Sequence, residues 1–135
     1  TLIMTEEKTQ MVDLLKASKQ KLTIIKNHSE KGFLVDKKLY NHSIIIDNNS
    51  ILKWDLKNSV IQESDFSFLE DYEKLPELLL IGVGKKINEP FFNIRSKMSK
   101  LSIPVEIMSS SSACRTWNVL LSEGRNLLAC IKNEY

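Results

Sequence analysis

Cysteine is scarce in this chain, and its two examples, Cys114 and Cys130, are too few for a disulfide framework. They form no CxxC pair and no metal-ligand spacing, so they read as reduced, buried thiols of a cytosol-like compartment. Histidine is equally rare. His28 in a turn and His42 within a strand lie too far apart to be a ligand pair, and each reads as a surface or structural residue. No metal and no cofactor are expected. Excess charge of one sign is also missing: the formal net charge is +2, with no basic stripe interleaved with aromatics. Lys37/Lys38 and Lys85/Lys86 read as solvated turn charges, which excludes nucleic acid as a partner.

Long apolar runs are absent too. No uncharged stretch approaches the roughly 18 residues of a membrane span, the longest strongly apolar one lying near Leu78–Val83. The first residues lack the charge-then-apolar pattern of a secretory signal. Glu6, Glu7 and Asp13 speak against an arginine-rich transit peptide. The expectation is a cytoplasmic chain that stays where it was made, with no transmembrane segment and with peripheral membrane association left open.

What is present bounds the fold. With 135 residues, 42% hydrophobic and 27% charged, the chain has the make-up of one ordinary globular domain. Residues 1–21 read as an N-terminal helical extension, started by Thr5 with Glu6 and Glu7. Its apolar face is Met11, Val12, Leu14 and Leu15. Residues 22–135 read as a single α/β domain.

From Leu22 the runs LTIIK, GFLVD, LYNHSIII and ILKW, broken by NHSEKG, DKK and DNNS, predict an antiparallel β-meander of three or four strands. Ser64 or Asp65 caps a short helix carrying Phe66, Phe68, Leu69 and Tyr72. ELLLIG is apolar at successive positions, the mark of a strand covered on both faces. Asn88 is expected to cap a helix with Pro90 in its first turn. Phe91, Ile94, Met98 and Leu101 give that helix its core face. Val105–Met108 makes a second strand, so Leu78–Met108 is a βαβ unit with a parallel pair. A last helix follows, stopped by Gly124 in left-handed conformation. Asn126–Lys132 closes the chain as another buried strand. The fold class is α/β, a three-layer single domain with a central mixed β-sheet: β-meander, then βαβ, then a final αβ.

Chemistry gathers where parallel strands end and loops lead into helices. Two loops share that edge, Gly82–Lys86 and Ser109–Ser112. The second enters a helix N-terminus, which favours an anion. The candidate ligand or partner site is therefore Gly82 and Gly84, the run Ser109, Ser110, Ser111 and Ser112, and Cys114, Arg115, Thr116, Trp117 and Asn118 beyond it. The plainer reading of the serines is a cap with spare hydroxyls. Gly82-Val83-Gly84 lacks the third glycine of a dinucleotide fingerprint and the Lys-Ser/Thr of a phosphate loop. Cys114, near a helix N-terminus, is open to two readings: a nucleophile of lowered pKa, or a packed thiol beside Ala113 with no base nearby in sequence. Trp117 reads as core, and Asn118 is able to bond loop backbone.

Arginine is the last shortage. Against sixteen lysines there are three, and two of them, Arg115 and Arg125, flank the last helix. Arginine in a lysine-rich chain marks a position that needs a planar fork. Glu123 stands at the negative end of that helix, which costs about 0.3–1 kcal/mol unless it is paired. A structural ion pair of Glu123 with one of these arginines, Arg125 being the nearer in sequence, is expected.

Gly32-Phe33, Trp54, the LLLIGVG strand-turn, and IPVEIM followed by SSSSACRTWNVLLSEGR together resemble the mitochondrial complex I assembly factor 3 family. Its relatives include the adipogenesis-associated protein and bacterial and archaeal members. The resemblance covers residues 24–132, and the ACRT-aromatic-N-x-L…EGR segment is its most specific part. It implies a three-layer α/β arrangement with a central mixed sheet. Family members carry Gly-Thr-Gly where this chain has Gly82-Val83-Gly84, and Met-Asp-Thr where it has Met108-Ser109-Ser110. The acid lost from that loop favours a non-enzymatic reading. The mitochondrial members, matrix proteins, imply a role in assembling respiratory complex I with protein partners, its subunits or other assembly factors.

The leading expectation is a non-enzymatic protein-binding domain assisting assembly of a respiratory complex. The sheet edge left by the meander, or the face near Trp117 and the serines, would engage the partner. The alternative is a binder of a small anion at the Gly82–Gly84 and Ser109–Arg115 loop edge. A thiol enzyme using Cys114 is a third.

Overall fold

The computed structural model describes residues 23–135. The helical extension expected over residues 1–21 lies outside the described residues. In chain order the strands are β1 (Ile25–Ser29), β2 (Gly32–Val35), β3 (Lys38–Tyr40), β4 (Ile44–Asp47) and β5 (Ile51–Lys53). After a 3₁₀ segment, Glu63–Asp71, come β6 (Leu78–Gly82), α1 (Phe92–Lys100), β7 (Val105–Met108), α2 (Ser110–Leu121) and β8 (Leu127–Ile131).

Apolar runs without alternation set the layers. All five residues of β6 and all five of β8 are buried, as strands between two covering layers must be. Their side chains divide by parity. Leu78, Leu80, Leu127, Ala129 and Ile131 enter a core with Ile25, Phe33, Val35, Trp117 and Leu121. Leu79, Ile81, Leu128 and Cys130 enter the opposite core with Phe66, Leu69, Phe91, Ile94 and Met98. The outcome is the three-layer arrangement: α2 with the small β1–β3 sheet, then the main sheet, then the 3₁₀ segment with α1.

The main sheet has the order β5-β4-β8-β6-β7. β6 is parallel to both β7 and β8, with Gly82 opposite Met108 and Ile131. β4 runs antiparallel to β5 and β8. The mixed sheet and the parallel βαβ pair are therefore as expected, and the turns that follow β6 and β7 meet at one edge.

Several expectations need correction. The short helix is a 3₁₀ segment capped by Gln62 rather than by Ser64 or Asp65, Asp65 Oδ2 accepting the Gln62 N–H at 2.7 Å, and His28 falls in β1 rather than in a turn. The stretch LYNHSIII is not one strand of a meander. It breaks at Asn41–Ser43 into β3, which stays with β1 and β2, and β4, which pairs with β5 and β8. Ile44, Ile45 and Ile46 are buried on both faces, and a sheet with one wet face cannot satisfy that. Ser43 holds the switch: its carbonyl accepts from Trp54 N–H at 2.8 Å and its Oγ from Asn133 N–H at 2.8 Å.

Nor does Asn88 cap the helix. Pro90 biases Glu89 out of helical conformation, and α1 begins only after Phe91, itself left-handed at φ 53°. That turn buries Phe91 and leaves Phe92 73% exposed. Ile94 and Met98 line the core as their spacing required, and Gly124, at φ 74°, follows the last helix in the expected left-handed conformation.

Candidate functional site

Ser110 is the residue on which the loop edge is built. It is fully buried. Its N–H donates to the Gly84 carbonyl at 2.8 Å. Its Oγ accepts the Gly84 N–H at 2.9 Å and donates to the Lys132 carbonyl at 2.6 Å. One hydroxyl thus joins the turn after β6, the start of α2 and the end of β8. Val83 N–H to Met108 O and Lys132 N–H to Gly82 O, both 2.9 Å, complete the seam. Glycine at 82 allows this close packing: a Cβ there would stand 3.0 Å from Ala113 Cβ, Ile131 Cγ2 and Ser110 Cα, and these neighbours would have to give way.

The remaining serines divide their tasks. Ser109 caps α2, its Oγ accepting from Ser112 N–H at 3.2 Å and donating to Ser112 Oγ at 3.0 Å. Arg115, exposed, donates from Nη2 to Ser112 Oγ at 3.2 Å. Ser111 turns the other way and donates to Glu134 Oε1 at 3.2 Å. The N–H groups of Ser110 and Ser112, which an anion at this helix start would take, are already engaged by the chain itself. The loops expected to meet do meet, and these bonds join them.

Further along α2, Trp117 is fully buried and its Nε1–H donates to Thr23 O at 2.8 Å. It cannot present a ring to a partner. Asn118 spends its whole amide on β1: Oδ1 accepts Ile25 N–H at 2.8 Å and Nδ2 donates to Ile25 O at 2.7 Å. Thr116 is half-buried. Burial pushes the Cys114 thiol up to about 12, with Glu134 adding to the rise and Arg115 opposing it. This is the reverse of what a nucleophilic thiolate needs. Cys114 is therefore expected to react slowly with iodoacetamide at neutral pH, at least about tenfold slower than after denaturation. Mass-spectrometric labelling with and without urea checks this.

The expected pairing of Glu123 does not form. Both it and Arg125 are exposed, and among the described residues no ion pair includes Glu123, Arg115 or Arg125. At an exposed helix end such a pair gains little over its side-chain entropy.

A cluster with no signal in the sequence lies beside Ser111. The His28 ring stacks on Phe33 at 4.0 Å between centroids, and Tyr135 meets it edge-on. His28 Nε2 lies 3.2 Å from Asn133 Oδ1, and Nδ1 lies 4.0 Å from Glu134 Oε1. His28 and Glu134 stand more than a hundred positions apart, joined only because β1 and the end of β8 both reach this corner.

Comparison with known proteins places the chain. A family described as "protein of unknown function (DUF498/DUF598)" matches residues 25–131. The chain belongs to that family. Among DUF498/DUF598 relatives, the "13 kDa major membrane protein" of Francisella tularensis is 31% identical over 122 residues, 90% of this chain and 98% of that protein. The mouse "NADH dehydrogenase [ubiquinone] 1 alpha subcomplex assembly factor 3" is 24% identical over 116 residues, 84% of this chain. The match spans 62% of that relative's length. The resemblance to the complex I assembly factor 3 family thus holds along most of the domain. A solved structure titled an outer membrane protein from Bartonella henselae shares the fold, with a TM-score of 0.72 and 29% identity over 84% of this chain and 96% of that one. Among the described residues, no helix is long and apolar enough to cross a membrane.

Proposed function

We propose that this chain is a non-enzymatic, cytoplasmic protein-binding domain that assists assembly of a membrane-associated respiratory complex of the complex I kind. The observation that carries the reading is an open groove of about 870 Å³ between the 3₁₀ segment and α1. Val60, 45% exposed, and Phe92, 73% exposed, stand in it. Ile61, Phe91 and Ile94 form its apolar floor, and Glu63, Glu70 and Glu89 its rim, with Lys97 3.9 Å from Glu70, so that the acids outnumber the one lysine. An aromatic side chain that exposed is a candidate anchor for a partner. The acidic rim suits a partner segment bearing lysine or arginine around an apolar residue. Assembly factors among the relatives support the same role.

Affinity purification of the full chain from its native cell tests this. Respiratory-complex subunits or other assembly factors are expected to co-purify reproducibly, and Phe92→Glu to lower their recovery at least about tenfold. Recovery of none of them, or equal recovery with the variant, contradicts the reading.

A further inference from the structure

A second groove, of about 260 Å³, lies between β1 and the first half of α2, on the opposite layer of the domain from Phe92. Its walls bring Ile25, Lys26 and Asn27 of β1 opposite Cys114, Arg115 and Asn118 of α2. Helical spacing puts the α2 residues on one face. Asn118 ties helix to strand, both ends of its amide being bonded to Ile25. Lys26, Asn27 and Arg115 are exposed and open to a ligand.

The charge of the lining has one sign. Lys26 and Arg115 contribute a cation from each wall, and no acid lines the groove. Neither cation has a carboxylate within 4.0 Å among the described residues. Arg115 spends a single N–H on Ser112 Oγ, so most of its planar fork is free. The acid behind the α2 wall is Glu134, whose side chain is only 9% exposed and takes the Ser111 hydroxyl. Ser111 therefore has no hydrogen to offer the groove, and the Asn118 amide is committed to β1. The donors left are Lys26, Arg115 and the Asn27 amide. The Cys114 thiol feels both Glu134 and Arg115, which sets that acid close beneath the cationic surface. Two cations in front and one acid behind leave an excess of one positive charge, which a monoanion balances.

We propose that this groove binds a small monocarboxylate, held by the Arg115 fork and the Lys26 ammonium from opposite walls. A carboxylate matches the paired donors of a guanidinium, and its single charge is what the balance with Glu134 admits. A phosphate dianion brings a second negative charge toward that acid. Burial pushes the Cys114 thiol up to about 12, so it is neutral at physiological pH and does not repel the ligand. The volume lies just under the roughly 300–1,000 Å³ of drug-sized sites, enough for a short acid and too little for a nucleotide. This site stands apart from the partner groove at Phe92, and either can fail without the other.

The test is an NMR titration of the full chain at neutral pH and constant ionic strength, with sodium butyrate, butanol and sodium phosphate as probes. The signals read are the Arg115 Nε–H and the amides of residues 25–28 and 111–118. Butyrate is expected to shift them saturably, butanol to leave them in place, and phosphate to bind about tenfold more weakly. Arg115→Gln and Lys26→Gln, checked for unchanged thermal unfolding, should each weaken butyrate about tenfold. Glu134→Gln, which keeps an oxygen for the Ser111 hydroxyl, should tighten phosphate by about tenfold and so close its gap to butyrate. Butyrate shifts that never saturate would overturn the proposal. So would butanol matching butyrate, phosphate binding the unaltered chain as tightly, or an Arg115→Gln variant that holds butyrate as before.

Discussion

Replacing Trp117 with alanine is expected to destabilise the domain by about 3–5 kcal/mol, the largest single-residue loss foreseen here. The indole is fully buried among strands of both sheets, in the core that binds α2 to β1, β6 and β8. Its removal opens a cavity the neighbours cannot collapse into, and strands the Thr23 carbonyl that Nε1–H now satisfies. Trp117→Phe separates the two effects. It keeps most of the apolar contact and loses the hydrogen bond, so a cost of about 1–3 kcal/mol is expected. Urea denaturation of the three proteins, followed by circular dichroism, measures both steps.

Ser110→Ala is expected to cost about 2–5 kcal/mol, although it removes a single oxygen. That oxygen accepts from Gly84 N–H and donates to Lys132 O, and both groups lose a partner at a fully buried residue, at about 1–3 kcal/mol each. Ser111→Ala is the control. Its hydroxyl makes one hydrogen bond, to Glu134 Oε1, where that of Ser110 makes two, so a smaller loss of roughly 1–2 kcal/mol is expected in the same assay. Equal costs for the two variants would mean that the four serines act as an undifferentiated cap.

How far the residues themselves announced this structure depends on the kind of signal. The LLLIG and LLACI runs are apolar at every position, and at this length such runs favour a strand covered on both faces over a helix. The central sheet and the meeting of two loop edges were therefore legible. Spacing alone also disclosed the core face of α1 and the glycine stop of α2. What the sequence concealed was the consequence of pairing. LYNHSIII reads as one β-rich run, and only the requirement that Ile44–Ile46 be buried twice over moves its second half into another sheet. The four serines read as equivalent. Their division into a buried tie, a cap and a surface donor depends on Gly84 and Lys132, residues 26 and 22 positions away from Ser110. Arg115 and Cys114 were singled out as groups at a helix start. Glu134 and His28, which give that corner its charge pattern, carry no local motif at all.

The loop edge is thus tied by the protein's own hydrogen bonds, and the proposed partner contact lies instead in the groove at Phe92. The most direct measurement of that claim is NMR detection of scalar coupling across the hydrogen bond from Ser110 N–H to the Gly84 carbonyl, together with amide exchange at both residues. The coupling should be present, and both amides should exchange as slowly as those of β6 and β8, unchanged by added phosphate. Absence of the coupling, with fast exchange that phosphate suppresses, would mean that the edge is an open anion site after all.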